Sequence, residues 1–204
     1  MNTRRVVLGL LGGIASGKSS VAALVARLGP GRAVDADALA REALDACAKD
    51  GRLVATLGPS SVLKDGGPDR KAIARRVFSN AAALRALERL THPAVLARID
   101  EAVEDHREGR GPAVLVLDVP LLIETGLDRR CDELWFVDVP DEQRFVRAAE
   151  RQGHSKEEVL RREAAQSPLD RKRARSDRVI DNGGDAKTLE AHVEAGLRAL
   201  GILR

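Results

Sequence analysis

Lys18 and Ser19 close a glycine-rich stretch, "GLLGGIASGKSS" (residues 9–20). Within it, Gly12-Gly13-Ile14-Ala15-Ser16-Gly17-Lys18-Ser19 satisfies G-x-x-x-x-G-K-[ST] without a mismatch. Each residue type has a chemical reason to be there. Glycines let the backbone curl until successive N–H groups converge on an anion, which a Cβ would obstruct. A helix opening near Lys18 adds unpaired N–H groups and the positive end of its dipole. Lys18 reaches the β- and γ-phosphates, and the Ser19 hydroxyl ligates Mg²⁺. Residues 12–20, Ser20 included, therefore read as a loop that grips ATP or another nucleoside triphosphate.

Such a loop needs a strand before it and a helix after it. Val6-Val7-Leu8 is strand-like, and Val21, Leu24, Val25 and Leu28 recur at helical spacing until Gly29-Pro30-Gly31. Four further short apolar runs read as buried strands: "RAVDAD" (32–37), "PAVLVLDVP" (112–120), "ELWFVDVP" (133–140) and "DRVIDN" (177–182). Between them lie helical patterns over 69–79, 81–90, 93–108, 141–152, 155–166 and 168–175, with Asp69 and Pro93 as start signals. A last helix opens near Asp185 and carries Leu189, Val193, Leu197 and Leu200 on one face.

Strands alternating with helices predict an α/β fold, a five-stranded parallel sheet with helices on both faces. The stretch 41–111 holds no convincing strand and reads as a helical insertion, with "KDGGPD" (64–69) as a turn inside it. The expected division is a core of about 1–40, 112–142 and 177–204, the insertion, and a lid of about 143–176. Every later strand ends in aspartate: Asp35 and Asp37, Asp118, Asp138, Asp181. Ligands bind at the carboxyl ends of strands in such sheets. Asp35 and Asp37 are read as functional, because they follow the strand expected beside the loop. Asp138 and Asp181 are read as turn and cap residues.

Composition narrows the class. Charged residues make up 32% and hydrophobic ones 44%, which suits a folded globular chain. The net charge is a modest +3, and with aromatics at 2% no basic stripe is interleaved with them, which argues against nucleic acid as a partner. Cys47 and Cys131 lack metal-ligand spacing and read as isolated thiols. The opening "MNTRRVVLGLLGG" has basic residues before an apolar run, but glycine breaks the run and no cleavage site follows. No stretch reaches the ~20 apolar residues of a membrane span. The expected location is the cytoplasm.

Among triphosphate-binding loops, a guanine-specific switch would carry Asn-Lys-x-Asp, which is absent. A motor ATPase would follow its apolar strand with Asp-Glu, whereas here Asp118 is followed by Val119-Pro120. A small kinase remains, holding a hydroxyl acceptor and excluding water. Another nucleoside or metabolite kinase, and a regulatory nucleotide-binding protein, stay as alternatives. Residues 143–178 are rich in arginine, and Arg147 and Arg151 lie on one helix face at i, i+4. Mobile cations of this kind neutralise a transferring phosphoryl group.

Over nearly its whole length the sequence resembles the dephospho-coenzyme A kinases. The resemblance rests on "GLLGGIASGKSSVA", "VDADALAR", "DRKAIARRVFSN", "LERLTHPAV", "VLDVPLLIE", "VDVPDEQRFVRAAER" and "DRVIDN", in that order and spacing. It implies the P-loop kinase fold and phosphorylation of the ribose 3′-hydroxyl of dephospho-coenzyme A by ATP and Mg²⁺. It further implies Asp37 as catalytic base, Lys18 and Arg147 as phosphate stabilisers, and Asp35 as a structural residue or a water-mediated Mg²⁺ contact. His92, ahead of Pro93, either lines the acceptor side or is a capping or core residue. Glu124 either contacts the acceptor or orders the loop after the third strand, and Asp118 is a candidate Mg²⁺ contact. A monomer or small homo-oligomer is expected. The chain departs from the family pattern at Leu11, Ala15 and Ser20. In the lid, Arg144 stands where glutamine is common and Glu163 where an apolar residue is common.

Overall fold

The computed structural model describes residues 4–203. Among these, five strands form one sheet: β1 (Val6–Leu11), β2 (Gly31–Asp35), β3 (Val114–Asp118), β4 (Glu133–Asp138) and β5 (Arg178–Asp181), in the order β2-β3-β1-β4-β5. β1 pairs in parallel with β3 and β4, and β4 with β5. The opening stretch of basic residues before an apolar run supplies β1 from Val6 onward, while residues 1–3 lie outside the described part. All six β1 residues and the first four of β3 are buried, as expected for strands covered on both faces.

The helices are α1 (Lys18–Leu28), α2 (Ala36–Lys49), α3 (Arg52–Leu57), α4 (Arg70–Ser79), α5 (Ala81–Arg107), α6 (Asp141–Gln152), α7 (Lys156–Glu163), α8 (Leu169–Arg175) and α9 (Ala186–Ala199). One sheet face contributes Val6, Leu8, Leu10, Val114, Val116, Trp135, Val137 and Ile180 to a core closed by α1 (Val21, Val25) and α9 (Leu189, Val193, Leu197). The period-2 complement, including Val7, Leu115, Leu117, Leu134 and Phe136, is buried on the other face. Burial of large aliphatic side chains, each worth roughly 1.5–3 kcal/mol, drives this layering.

A repeated device fixes register. The Asp132 carboxylate accepts from Val7 N (2.8 Å) while Asp132 N donates to Val7 O (2.8 Å). Asp177 does the same to Leu134, again at 2.8 Å in both directions. Each aspartate occupies a backbone position just before a strand and ties that strand to its neighbour.

The chain divides into two compact units, one of residues up to Val34 together with Val103 onward, the other Asp35–Ala102. The second unit is helical, with an isolated antiparallel bridge between Val62 and Pro68 flanking the "KDGGPD" turn. Its own small core gathers Cys47, Leu53, Leu57 and Ile73. Asp69 caps α4 by accepting from Ala72 N (2.9 Å), as its position predicted.

Pro93 does not start a helix. It lies inside the continuous α5 of 27 residues. A proline there forfeits one i→i−4 bond and crowds the preceding turn. That cost is offset because the residues on either side are held by packing: Leu87 and Leu90 against the small core, and Ile99 fully buried further on. His92, expected near a helix start, is therefore a half-buried mid-helix residue and caps nothing.

Candidate active site

The glycine-rich loop joins β1 to α1. Gly12 (φ +146°) and Gly17 (φ +91°) hold backbone conformations that L side chains rarely adopt. A Cβ on Gly17 would lie 2.3 Å from Asn182 Nδ2, and that amide donates to Ser16 O at 2.7 Å. Asn182, just past β5, thus clamps the loop from outside, and no spacing rule in the sequence singled it out. Ala15 sits at φ +59°, the one non-glycine residue in this region among those described. The alanine noted as a departure is accommodated at a cost in backbone strain.

Lys18 Nζ donates to Gly12 O (3.2 Å) and Gly13 O (3.0 Å), folding its chain across the loop. Burial, abetted by the like charges of Lys172 and Arg144, lowers its pKa to about 8, against the opposing pull of Asp118 and Glu163. A buried ammonium under that strain favours an arriving polyanion. Ser19 Oγ donates to Asp118 Oδ2 at 2.6 Å, so the loop hydroxyl and the last residue of β3 meet. Among the described residues no group of three or more His, Cys, Asp or Glu could hold a metal. A pair of oxygens is nonetheless what Mg²⁺ commonly takes from a protein when phosphates and water complete its shell.

Arg147 Nη2 donates to Asn182 O (3.0 Å), so the arginine on α6 leans toward the exit of β5 and the same asparagine that clamps the loop. Glu124 accepts from Ser167 N and lies 3.7 Å from Lys172 Nζ, linking the segment after β3 to the stretch before α8. Lys172, buried at 2% exposure, also donates to Gln166 Oε1 (2.8 Å). In the sequence it is one more base in an arginine-rich run, with no spacing that sets it apart.

Asp138 is a correction. Expected as a turn or cap residue, it caps nothing, since Pro140 precedes α6 without a side-chain bond. Its carboxylate pairs instead with Arg173. It lines a cleft with Gly13, Asp141, Arg144, Asp170 and Arg173. Asp181 does form the expected turn, accepting from Gly183 N at 2.8 Å. Both cysteines are free, and burial first, then Asp128 and Asp132, pushes the Cys131 thiol up to about 12.

In the second unit, Asp35 ends β2 and caps α2 by accepting from Ala38 N (3.0 Å). Asp37 is exposed in the first turn of α2. The predicted strand over 32–37 accordingly stops two residues early, because the Asp35 cap lets the helix begin at Ala36.

A dephospho-CoA kinase family model matches residues 6–188, a span that includes the loop, Asp37, Asp118 and the whole arginine-rich segment. The chain belongs to the dephospho-CoA kinase family. It is 47% identical to a dephospho-CoA kinase of Symbiobacterium thermophilum over 195 residues, covering 95% of this chain and 80% of that one. It is 44% identical to the dephospho-CoA kinase of Geobacter metallireducens over 192 residues, covering 93% and 94%. The crystal structure of TT1252 from Thermus thermophilus superposes with a TM-score of 0.77 at 38% identity, covering 97% of this chain and 98% of that one. A shikimate kinase from Bacteroides thetaiotaomicron, at 14% identity and TM-score 0.52, shares the fold, covering 96% and 98%. The five-stranded parallel sheet of a P-loop kinase, expected from strand–helix alternation and the glycine-rich loop, is thereby shown, and so is the family.

Proposed function

We propose that this member of the dephospho-CoA kinase family transfers the γ-phosphoryl group of ATP to the ribose 3′-hydroxyl of dephospho-coenzyme A, giving coenzyme A and ADP. What supports the reading most is the loop over residues 12–20, with Lys18 folded across it and Ser19 bonded to Asp118, in a chain that matches this family over most of its length. The loop N–H groups and Lys18 hold the β- and γ-phosphates. Ser19 and Asp118 fit as the protein ligands of Mg²⁺, which when bound neutralises charge on the phosphate oxygens. Arg147 adds a cation beside the transferring group.

Asp37 accepts the proton of the 3′-hydroxyl as the new P–O bond forms and the bond to ADP breaks. In a loose transition state that proton leaves late, so the carboxylate mainly orients the hydroxyl and needs no raised pKa. Residues of about 41–111 would serve the acceptor, with His92 and Glu124 as candidate contacts, and about 143–176 would form the lid. The acceptor is a small molecule rather than nucleic acid. Among the described residues no helix is long and apolar enough to cross a membrane. We place the enzyme in the cytoplasm as a monomer or small homo-oligomer.

The test couples ADP release to identification of the product by mass, with and without dephospho-coenzyme A. ADP formed only with the acceptor, alongside coenzyme A, is the expected result. Equal slow release without it would favour a hydrolysing regulator. Asp37→Asn should lower turnover by roughly 10²-fold or more with the fold retained, and normal turnover by the folded variant would remove Asp37 from the chemistry.

A further inference from the structure

Arg144 and Glu163 form a constellation that the proposed reaction leaves unused. The guanidinium on α6 is 3% exposed and the carboxylate that ends α7 is 12% exposed. One carboxylate oxygen, Glu163 Oε1, accepts from Arg144 Nη1 at 2.6 Å and from the loop's own Ile14 N at 2.7 Å. Arg144 Nη1 in turn donates to Ile14 O at 3.2 Å, so the guanidinium and the loop peptide grip each other as well as the carboxylate.

Three further observations bear on what this arrangement is for. First, the loop is shaped to admit it: a Cβ on Gly13 would lie 2.4 Å from Arg144 Nη1 and 2.7 Å from Glu163 Oε1. Second, Arg144 does not need Glu163 for neutrality, because Asp141 Oδ1 already takes its Nη2 at 2.6 Å and its Nε at 3.2 Å. Glu163 is the carboxylate of the group that also takes the loop N–H, and its charge acts on Lys18 and Lys172 as well. Third, both side chains act electrostatically on Lys18, which puts the pair beside the amine that receives phosphate. A backbone N–H of an anion-binding loop and a buried guanidinium converging on one anionic oxygen is the donor geometry of a phosphate subsite.

We infer that Ile14 N–H and the Arg144 guanidinium form an additional subsite for a phosphoryl oxygen of the triphosphate, and that the Glu163 carboxylate is its built-in occupant, displaced when the nucleotide binds. The inference rests on the reading of residues 12–20 as the triphosphate site, but not on the identity of the acceptor. Glu163 Oε2 also lies 3.5 Å from Arg144 Nη2, so on displacement the guanidinium exchanges two carboxylate contacts for contacts to phosphate oxygen. The carboxylate opposes nucleotide binding twice, by holding both donors and by repelling the incoming charge.

Isothermal titration of the full chain with Mg²⁺–ATP, without acceptor, tests this. Removing the carboxylate charge in Glu163→Gln should tighten binding by about tenfold, the scale of one charge-assisted hydrogen bond set free. Arg144→Gln should weaken it by a similar factor. A pair that merely braces the loop predicts the reverse for Glu163→Gln, so unchanged or weaker binding by that variant overturns the inference. Should Glu163→Gln not fold, Glu163→Asp keeps the charge but withdraws it from Ile14 by one methylene. It should bind ATP more tightly than the parent, and equal or weaker binding again overturns the inference. Failure of the parent chain to bind ATP at all would instead defeat the triphosphate reading itself, and a different acceptor in the product assay would leave this inference standing.

Discussion

Lys18 offers the sharpest quantitative test, because burial lowers its pKa to about 8 from an ordinary 10.5. The amine is charged below that value and neutral above it. A polyphosphate bound against it should return the pKa toward its ordinary range, so binding takes up a proton wherever the free protein has lost one. With a free-state pKa of about 8, uptake should be about 0.1 proton at pH 7, about half a proton at pH 8 and about 0.9 at pH 9. By the same linkage, the dissociation constant for Mg²⁺–ADP should rise about twofold from pH 7 to pH 8 and about tenfold by pH 9. The phosphates contribute little over this range, since a terminal phosphate has its last pKa at about 6. Titration calorimetry in two buffers of different ionisation heat measures uptake and affinity together. Lys18→Arg is the control, since guanidinium stays charged throughout and should flatten both trends. A pH-independent affinity with no uptake in the parent chain would refute the reasoning, and so would identical uptake in Lys18→Arg.

Two further outcomes follow from local geometry. Ala15→Gly should relieve the φ +59° strain, and after the extra chain entropy of glycine is subtracted the net gain is about 0.5 kcal/mol, a rise in Tm of about 1–2 °C. Glu124→Gln should cost about 1–3 kcal/mol by weakening the ties to Ser167 N and the buried Lys172. Burial raises the Glu124 pKa, but the Ser167 N–H and Lys172 outweigh it and hold the carboxyl below its ordinary value of 4.5. The carboxylate's stabilisation is therefore complete above about pH 5 and fades as pH falls through the lowered pKa. Thermal melts of parent and variant should converge on acidification, and a gap that stays constant down to pH 3 would contradict this.

The glycine-rich loop and the sheet were legible in the sequence because each depends on local rules. Glycine at positions 12 and 17 is demanded by backbone angle, and continuous apolar runs are demanded by burial on both faces of a parallel sheet. Strand-terminal aspartates were legible for the same reason, though not which would cap, pair or turn. Asp138 was misjudged because its partner, Arg173, is distant in sequence and looked like one of many solvated arginines. Pro93 misled because local chemistry argues for a break, while burial of Ile99 beyond it and packing of Leu87 and Leu90 before it decide for one continuous helix.

What the sequence determined by itself was the glycine-rich loop at residues 12–20 and the order of elements that carry it. Only tertiary structure decided that Asn182 clamps Ser16, that Glu124 reaches Ser167 and Lys172, and that Arg144 and Glu163 meet at Ile14. Each of these joins residues 19 to 166 positions apart, beyond the reach of helical or strand periodicity. A buried charge must find its partner wherever the fold brings one, and sequence spacing carries no record of that choice.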